Sequence, residues 1–134
     1  MTIEEYEAEA LADLQIDVTT LEDAAKVLGL KRAKWAKYLY EEECILAEAE
    51  ERLNEMRRDK HHFYLYEFDQ KIEKKSVDIY VQGDPIYKEA EKMHKKQMAK
   101  IRMVEQIISA LDKQSFTMNI ILKHMAWKSG ASAI

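Results

Sequence analysis

The sequence predicts an all-α protein of long amphipathic helices joined by a short extended linker, and three observations carry that prediction. Only three glycines and one proline occur in 134 residues, too few for a turn-rich β fold or a glycine-rich phosphate loop. No proline falls between Leu21 and Phe68. Within that stretch Trp35, Leu39, Ile45, Leu46, Ala49, Leu53 and Met56 recur at helical spacing, interrupted by Glu42, which is the period of a helix with one apolar stripe. The length allows one domain spanning residues 1–134.

The elements follow in order. Residues 1–19 form an acidic N-terminal segment in which Ile3, Tyr6, Ala10, Leu11 and Leu14 predict a helix over 3–14 with a thin apolar stripe. Thr20 opens a long helical region, 20–68, with Asp23 three residues on in an acidic first turn. Gly29 is the one expected break. A helix from Leu30 to Phe68 would be about 60 Å long, whereas a compact chain of this size has a radius of gyration of roughly 14 Å. Such a helix seldom hides its stripe within one subunit.

Residues 69–84 read as a linker. The charged run KIEKK precedes Val77, Ile79 and Val81, which alternate with Asp78 and Tyr80 as in a short strand, and Gly83 ends it. Asp84 then caps a helix whose first turn holds Pro85. That helix is predicted to run to about Lys113, with Ile86, Ala90, Met93, Gln97, Ile101, Val104, Ile108 and Leu111 on one side and Lys88, Lys92, Lys95 and Arg102 on the other. Ser115 is expected to cap a last, apolar helix carrying Phe116, Met118, Ile120, Ile121, Leu122, Met125 and Trp127, before SGASAI frays out.

Net charge is −4, but it is unevenly placed. Residues 1–25 hold eight acids and no base, and the remainder holds 17 acids against 21 bases, a net +4. A basic body of this kind suits a polyanion partner. The −8 terminus reads as a separate surface, suited to a basic patch on a protein partner or to keeping DNA away from that end. At 47% hydrophobic the chain is too apolar to be disordered, and no apolar run approaches the ~20 residues that span a bilayer. The acidic N-terminus lacks the pattern of a signal peptide. The lone Cys44 suits a reducing cytoplasm.

The segment from Arg57 to Tyr66 carries the most chemistry. On a helix Arg57, Lys60, His61 and Tyr64 share one face at i, i+3, i+4 and i+7. Arg57, Arg58 and Lys60 can neutralise phosphates, while Tyr64, Phe63 and His61 can lie against bases, a combination suited to single-stranded nucleic acid bound without sequence preference. The bland alternative is a solvated basic face whose aromatic residues anchor a helix end. A second basic cluster, Lys31, Arg32, Lys34 and Lys37, interleaves with Trp35 and Tyr38, which fall on the apolar stripe.

Catalytic and metal readings are weak. His61 and His62 are adjacent, so their rings should diverge by roughly 100° on a helix. Cys44, His94 and His124 have no ligand partner at a recognisable spacing, and no nucleophile-elbow, Walker or zinc signature is present. The expectation is no enzyme, no cofactor and no metal. The apolar C-terminal helix does point to self-association, with Ile101, Val104, Ile108, Leu111, Ile121, Leu122 and Met125 as candidate interface residues.

Across about residues 14–131 the chain resembles the UvsY-type recombination mediators of T-even bacteriophages. The resemblance rests on Ile16-Asp17-Val18 before Thr19-Thr20, Lys34-Trp35, the basic-aromatic segment Arg57 to Tyr64, the Asp84 turn, Leu111-Asp112 with Phe116, Leu122-Lys123-His124, and Gly130. It implies a small all-helical protein that assembles into a ring-like hexamer or heptamer through its C-terminal helices. It also implies binding to single-stranded DNA, to a single-strand-binding protein and to a RecA-like recombinase that it helps to load, in the cytoplasm of an infected bacterial host. The family's basic contact pattern, Leu-Lys-Ala-Arg-Leu, falls on Arg57, Arg58, Asp59, Lys60 and His61, so its two cationic places hold Arg58 and Lys60. The acidic N-terminus departs from the family pattern. The alternative from another class is a self-associating helical scaffold or adaptor that binds no DNA.

Overall fold

The computed structural model describes residues 1–15 and 21–130. The Thr20 cap, the Ile16-Asp17-Val18 run and the last four residues therefore lie outside the described residues. The described residues form four α-helices, α1 (Ile3–Asp13), α2 (Leu21–His62), α3 (Val77–Gly83) and α4 (Pro85–Lys128), with a π-helical turn at Phe63–Glu67 and a 3-10 turn at Lys74–Ser76. No strand occurs among the described residues, and the all-α class holds.

Three local expectations are corrected. Val77 and Val81 are buried one helical turn apart while Ile79 is 72% exposed, so the alternation over 77–81 marks the inner side of a short helix and not a strand. The predicted break at Gly29 does not occur, because a single glycine costs a helix only about 1 kcal/mol. Ser115 likewise caps nothing. α4 passes through it for 44 residues, since no glycine or proline interrupts 86–129. α4 ends at Lys128, and Gly130 just beyond it has a φ of 75°, the left-handed conformation common after a helix C-terminus.

The chain forms two compact units. The first contains residues 1–40 and 102–134. There α1 is held by a capping box: the Thr2 hydroxyl accepts from the Glu5 amide at 3.1 Å and Glu5 accepts in return from the Thr2 amide at 3.3 Å. Tyr6 and Ala10 of α1 join Leu28 and Trp35 of α2 and Val104, Ile107, Ile108, Leu111 and Met118 of α4 in one buried cluster. Tyr6, Trp35 and Tyr38 form a ring triad with centroids 5.2–5.7 Å apart, close to the geometry that adds to simple burial.

The second unit contains residues 41–101. Its cluster is Leu53, Val77, Val81 and Tyr87, flanked by Met56, Tyr64, Leu65, Ile72 and Ala90. Glu42, the residue that interrupts the α2 stripe, is only 2% exposed here. Gln97 donates to its carboxylate at 2.6 Å and Lys100 lies 3.4 Å from it, so the buried charge is hydrogen-bonded and paired. Asp84 caps α4 as the sequence predicts, its Oδ1 accepting from the amides of Ile86 at 2.9 Å and Tyr87 at 3.2 Å.

The apolar side of the α4 C-terminal half is divided. Val104, Ile108 and Leu111, expected at a subunit interface, fill the core of their own chain, and Ile101 is 7% exposed. The physical reason is α1: its Tyr6 and Ala10 supply a wall that closes over that stripe. Beyond it Ile121 and Met125 are exposed and Leu122 is half-buried, beside exposed Phe116, Ile120 and Trp127.

Candidate nucleic-acid interface

The last turns of α2 and the π turn after them carry the basic-aromatic segment. The π turn begins only at Phe63, so Arg57, Lys60 and His61 keep regular helical spacing, and Arg57, Lys60 and Tyr64 all meet the start of α4. Lys60 and Tyr64 turn inward to the α4 cap. The Lys60 ammonium lies 3.4 Å from Asp84 Oδ2, and the Tyr64 hydroxyl donates to the same oxygen at 2.7 Å. Burial alone would raise the Asp84 carboxyl. The Tyr64 hydroxyl, the Tyr87 and Ile86 amides and the Lys60 charge outweigh it and hold the pKa below the ordinary carboxylate value. The Tyr64 hydroxyl is pushed up in turn, first by that hydrogen bond to a carboxylate and then by burial.

Phe63 is also engaged. Its ring meets Tyr64 and Phe68 at centroid distances of 5.1 and 6.0 Å, and Lys60 Nζ sits 5.3 Å from its centre. Tyr80 of α3 closes this nest against Tyr64 and Phe68. Lys60, Phe63 and Tyr64, expected as direct DNA contacts, are half-buried and already engaged within the second unit, where the α4 cap offers a buried carboxylate and an aromatic neighbourhood.

The other side of the segment is open. Arg57, Arg58, His61 and His62 line a cleft of about 410 Å³, with Leu65 and Tyr66 along it and Asp78 of α3 on its rim. Arg57 donates from Nη2 to the Tyr87 hydroxyl at 3.1 Å, with its guanidinium 5.9 Å from that ring's centre. The bond raises its pKa and fixes the direction of its charge. Arg58 is exposed, and Tyr66 is 71% exposed with its ring centroid 5.0 Å from that of His62. His61 and His62 both border this cleft. His62 and Tyr66 were not among the predicted contacts. Their signal is the i, i+4, i+8 series Arg58, His62, Tyr66, a second face of the same helix.

The second basic cluster is turned to a different use. Lys34 Nζ bonds Glu9 and Asp13 of α1, and Lys31 Nζ donates to the Asp13 carbonyl at 2.9 Å. The Trp35 indole N–H donates to Asp13 at 2.9 Å and the Tyr38 hydroxyl to Glu9 at 3.0 Å. Arg32 pairs with Asp112 at 3.3 Å, and Lys37 is engaged as well. Burial of Asp13 favours its neutral form, yet the bonds from Lys34 and Trp35 prevail and lower its pKa, while the pKa of Lys34 is raised against its own desolvation. Part of the −8 terminus is thus an internal counter-charge to α2 and not a surface set apart from the basic body.

Among the described residues no group of three or more His, Cys, Asp and Glu could hold a metal ion, and no described helix is long and apolar enough to cross a membrane.

Fold and cleft together define a small all-helical protein with an open cationic-aromatic groove at the end of a long helix. The family model described as "Recombination, repair and ssDNA binding protein UvsY" matches residues 9–131, and the chain belongs to that family. The fold is similar to that of the bacteriophage T4 recombination mediator protein UvsY. In one crystal form the TM-score is 0.85 at 16% identity over 96% of this chain and 98% of that one. In a second it is 0.84 at 14% identity over 96% and 99%, and in a third 0.81 at 15% identity over 92% and 98%. No curated protein sequence matches the chain.

Proposed function

We propose that this protein is a recombination mediator, without catalytic activity of its own, that binds single-stranded DNA and helps a RecA-like recombinase onto DNA covered by single-strand-binding protein, in the cytoplasm of a phage-infected bacterial host. The observation that carries the reading is the open groove, in which Arg57 and Arg58 stand beside exposed Tyr66 and His62. Cations next to stackable rings hold phosphates and base faces together. Membership of a family of recombination, repair and single-strand-binding proteins supports the same conclusion.

Self-association belongs to this reading. Ile121, Leu122 and Met125, with exposed Phe116 and Trp127, are apolar residues available for subunit contacts at the end of α4, and a closed hexameric or heptameric ring would repeat the groove around its circumference. Repetition turns a weak groove into a tight binder through effective concentration.

The test is fluorescence anisotropy of a labelled oligothymidine over a salt series. Binding that weakens steeply with salt, with slope near −0.7 per phosphate neutralised, supports the mediator. No binding at micromolar protein and low salt favours the rival, a self-associating helical scaffold, for which the exposed apolar end of α4 is the favouring observation.

A further inference from the structure

One residue of the groove does not fit a surface made only for phosphates. Asp78, exposed in the first turn of α3, lines the same cleft as Arg57 and Arg58 and also a neighbouring recess of about 280 Å³ with Arg57 and Gln82. Its carboxylate makes no hydrogen bond or ion pair among the described residues, and it is close enough to Arg57 to favour the guanidinium charge. A carboxylate facing a phosphate backbone costs affinity unless it meets a donor.

We propose that this groove reads a base as well as holding a strand: Asp78, set against the arginines, makes it a guanine-preferring nucleotide pocket. The inference rests on the groove being the single-strand site. Guanine presents N1–H and the N2 amino group side by side, matching the two oxygens of a carboxylate. Its O6 and N7 form an adjacent pair of acceptors, the pair that arginine takes bidentately. Cytosine and adenine offer a single amino donor beside an acceptor, and the one ring N–H of thymine lies between two carbonyl oxygens that a carboxylate repels. Guanine alone offers both pairs, the donors on its Watson–Crick edge for the acid and the acceptors on the adjoining major-groove edge for an arginine. The exposed ring of Tyr66, braced by His62, supplies a face on which the base stacks. The cleft, at about 410 Å³, falls within the roughly 300–1,000 Å³ of small-molecule sites.

The experiment compares the full-length protein on three labelled oligonucleotides of equal length: all thymidine, thymidine with guanosines at intervals too wide for quadruplexes, and the same with inosine at those positions. Inosine keeps N1–H and lacks the N2 amino group. The expected result is about ten-fold tighter binding of the guanosine strand than of oligothymidine, in keeping with one bidentate contact, and an intermediate affinity for the inosine strand. Asp78→Asn should collapse the three affinities to one value, the guanosine strand losing its roughly ten-fold advantage. Equal affinities in the unaltered protein, or a guanosine preference that survives Asp78→Asn, would overturn the assignment while the groove still bound DNA. If Arg58→Ala with Tyr66→Ala leaves all three affinities unchanged, the groove is not the single-strand site, and the base reading falls with it.

Discussion

The ammonium of Lys60 lies 3.4 Å from the Asp84 carboxylate that caps α4, so a cation that the sequence offers to DNA is held by its own chain. The same carboxylate receives the Tyr64 hydroxyl. This three-residue knot separates the side of the basic segment that builds the second unit from the side that faces solvent.

Lys60 and Arg58 should therefore behave oppositely. Lys60→Ala is expected to lower stability in urea denaturation by about 1–2 kcal/mol, because Asp84 is buried and loses a charged partner, with oligothymidine affinity changed less than two-fold when measured on folded protein. Arg58→Ala should leave the urea midpoint in place and weaken binding several-fold, flattening the salt slope by about 0.7. A reversed pattern would return Lys60 to the DNA contact.

Asp84→Ala removes a helix cap, which costs about 1 kcal/mol, and leaves the Tyr64 hydroxyl and Lys60 unpaired. A total loss of about 3 kcal/mol is expected, against about 1 kcal/mol for Tyr64→Phe. Thermal unfolding monitored by circular dichroism measures both, and equal effects would mean that the cap and the Lys60 pair contribute little.

At the other unit, Asp13 joins the Trp35 indole to Lys34. Asp13→Ala should destabilise by about 2 kcal/mol, since Trp35 is fully buried and its N–H loses its acceptor. The carboxyls of Asp13 and Asp84 both have folded pKa values below the unfolded one. Their stabilisation is therefore complete above the unfolded value, near pH 4, and is lost as pH falls through the folded value. Urea midpoints should drop from pH 5 toward pH 2, and the drop should be shallower in Asp13→Asn with Asp84→Asn. The pKa of Lys34 is raised, so its contribution is full below the ordinary lysine value and is lost only as pH climbs through the raised one.

Ile121→Asp with Met125→Asp should reduce the mass seen by light scattering while the helical signal persists, because both side chains are exposed in the chain. Val104→Asp should instead unfold the first unit, since that position is fully buried in its core. An unchanged mass in the double variant would remove these residues from a subunit contact.

The helical class, the Asp84-Pro85 start of α4 and the α1 helix were all legible from local pattern, because capping, proline placement and 3.6-residue periodicity are properties of neighbours in the chain. The misreadings share one cause. The alternation at 77–81, the cap at Ser115 and the break at Gly29 are weak local signals, each worth about 1 kcal/mol or less, and tertiary burial outweighs them. His62 and Tyr66 were passed over for another reason: their spacing from Arg58 is that of a regular helix, but the neighbouring face of Arg57, Lys60, His61 and Tyr64 carries more cations and competes with it.

By itself, then, the sequence determined that the chain is helical, where α4 begins, that a basic-aromatic segment ends α2, and that charge is divided between an acidic terminus and a basic body. Only the tertiary structure decided which charges remain available. Glu9 and Asp13 meet Lys34 across more than twenty residues of chain, and Asp84 takes Lys60 and Tyr64 at a similar remove. Pairing of that kind depends on distance in space, and Coulomb energy falls with that distance whatever the separation along the chain. Arg57, Arg58 and the rings beside them stay open for that reason.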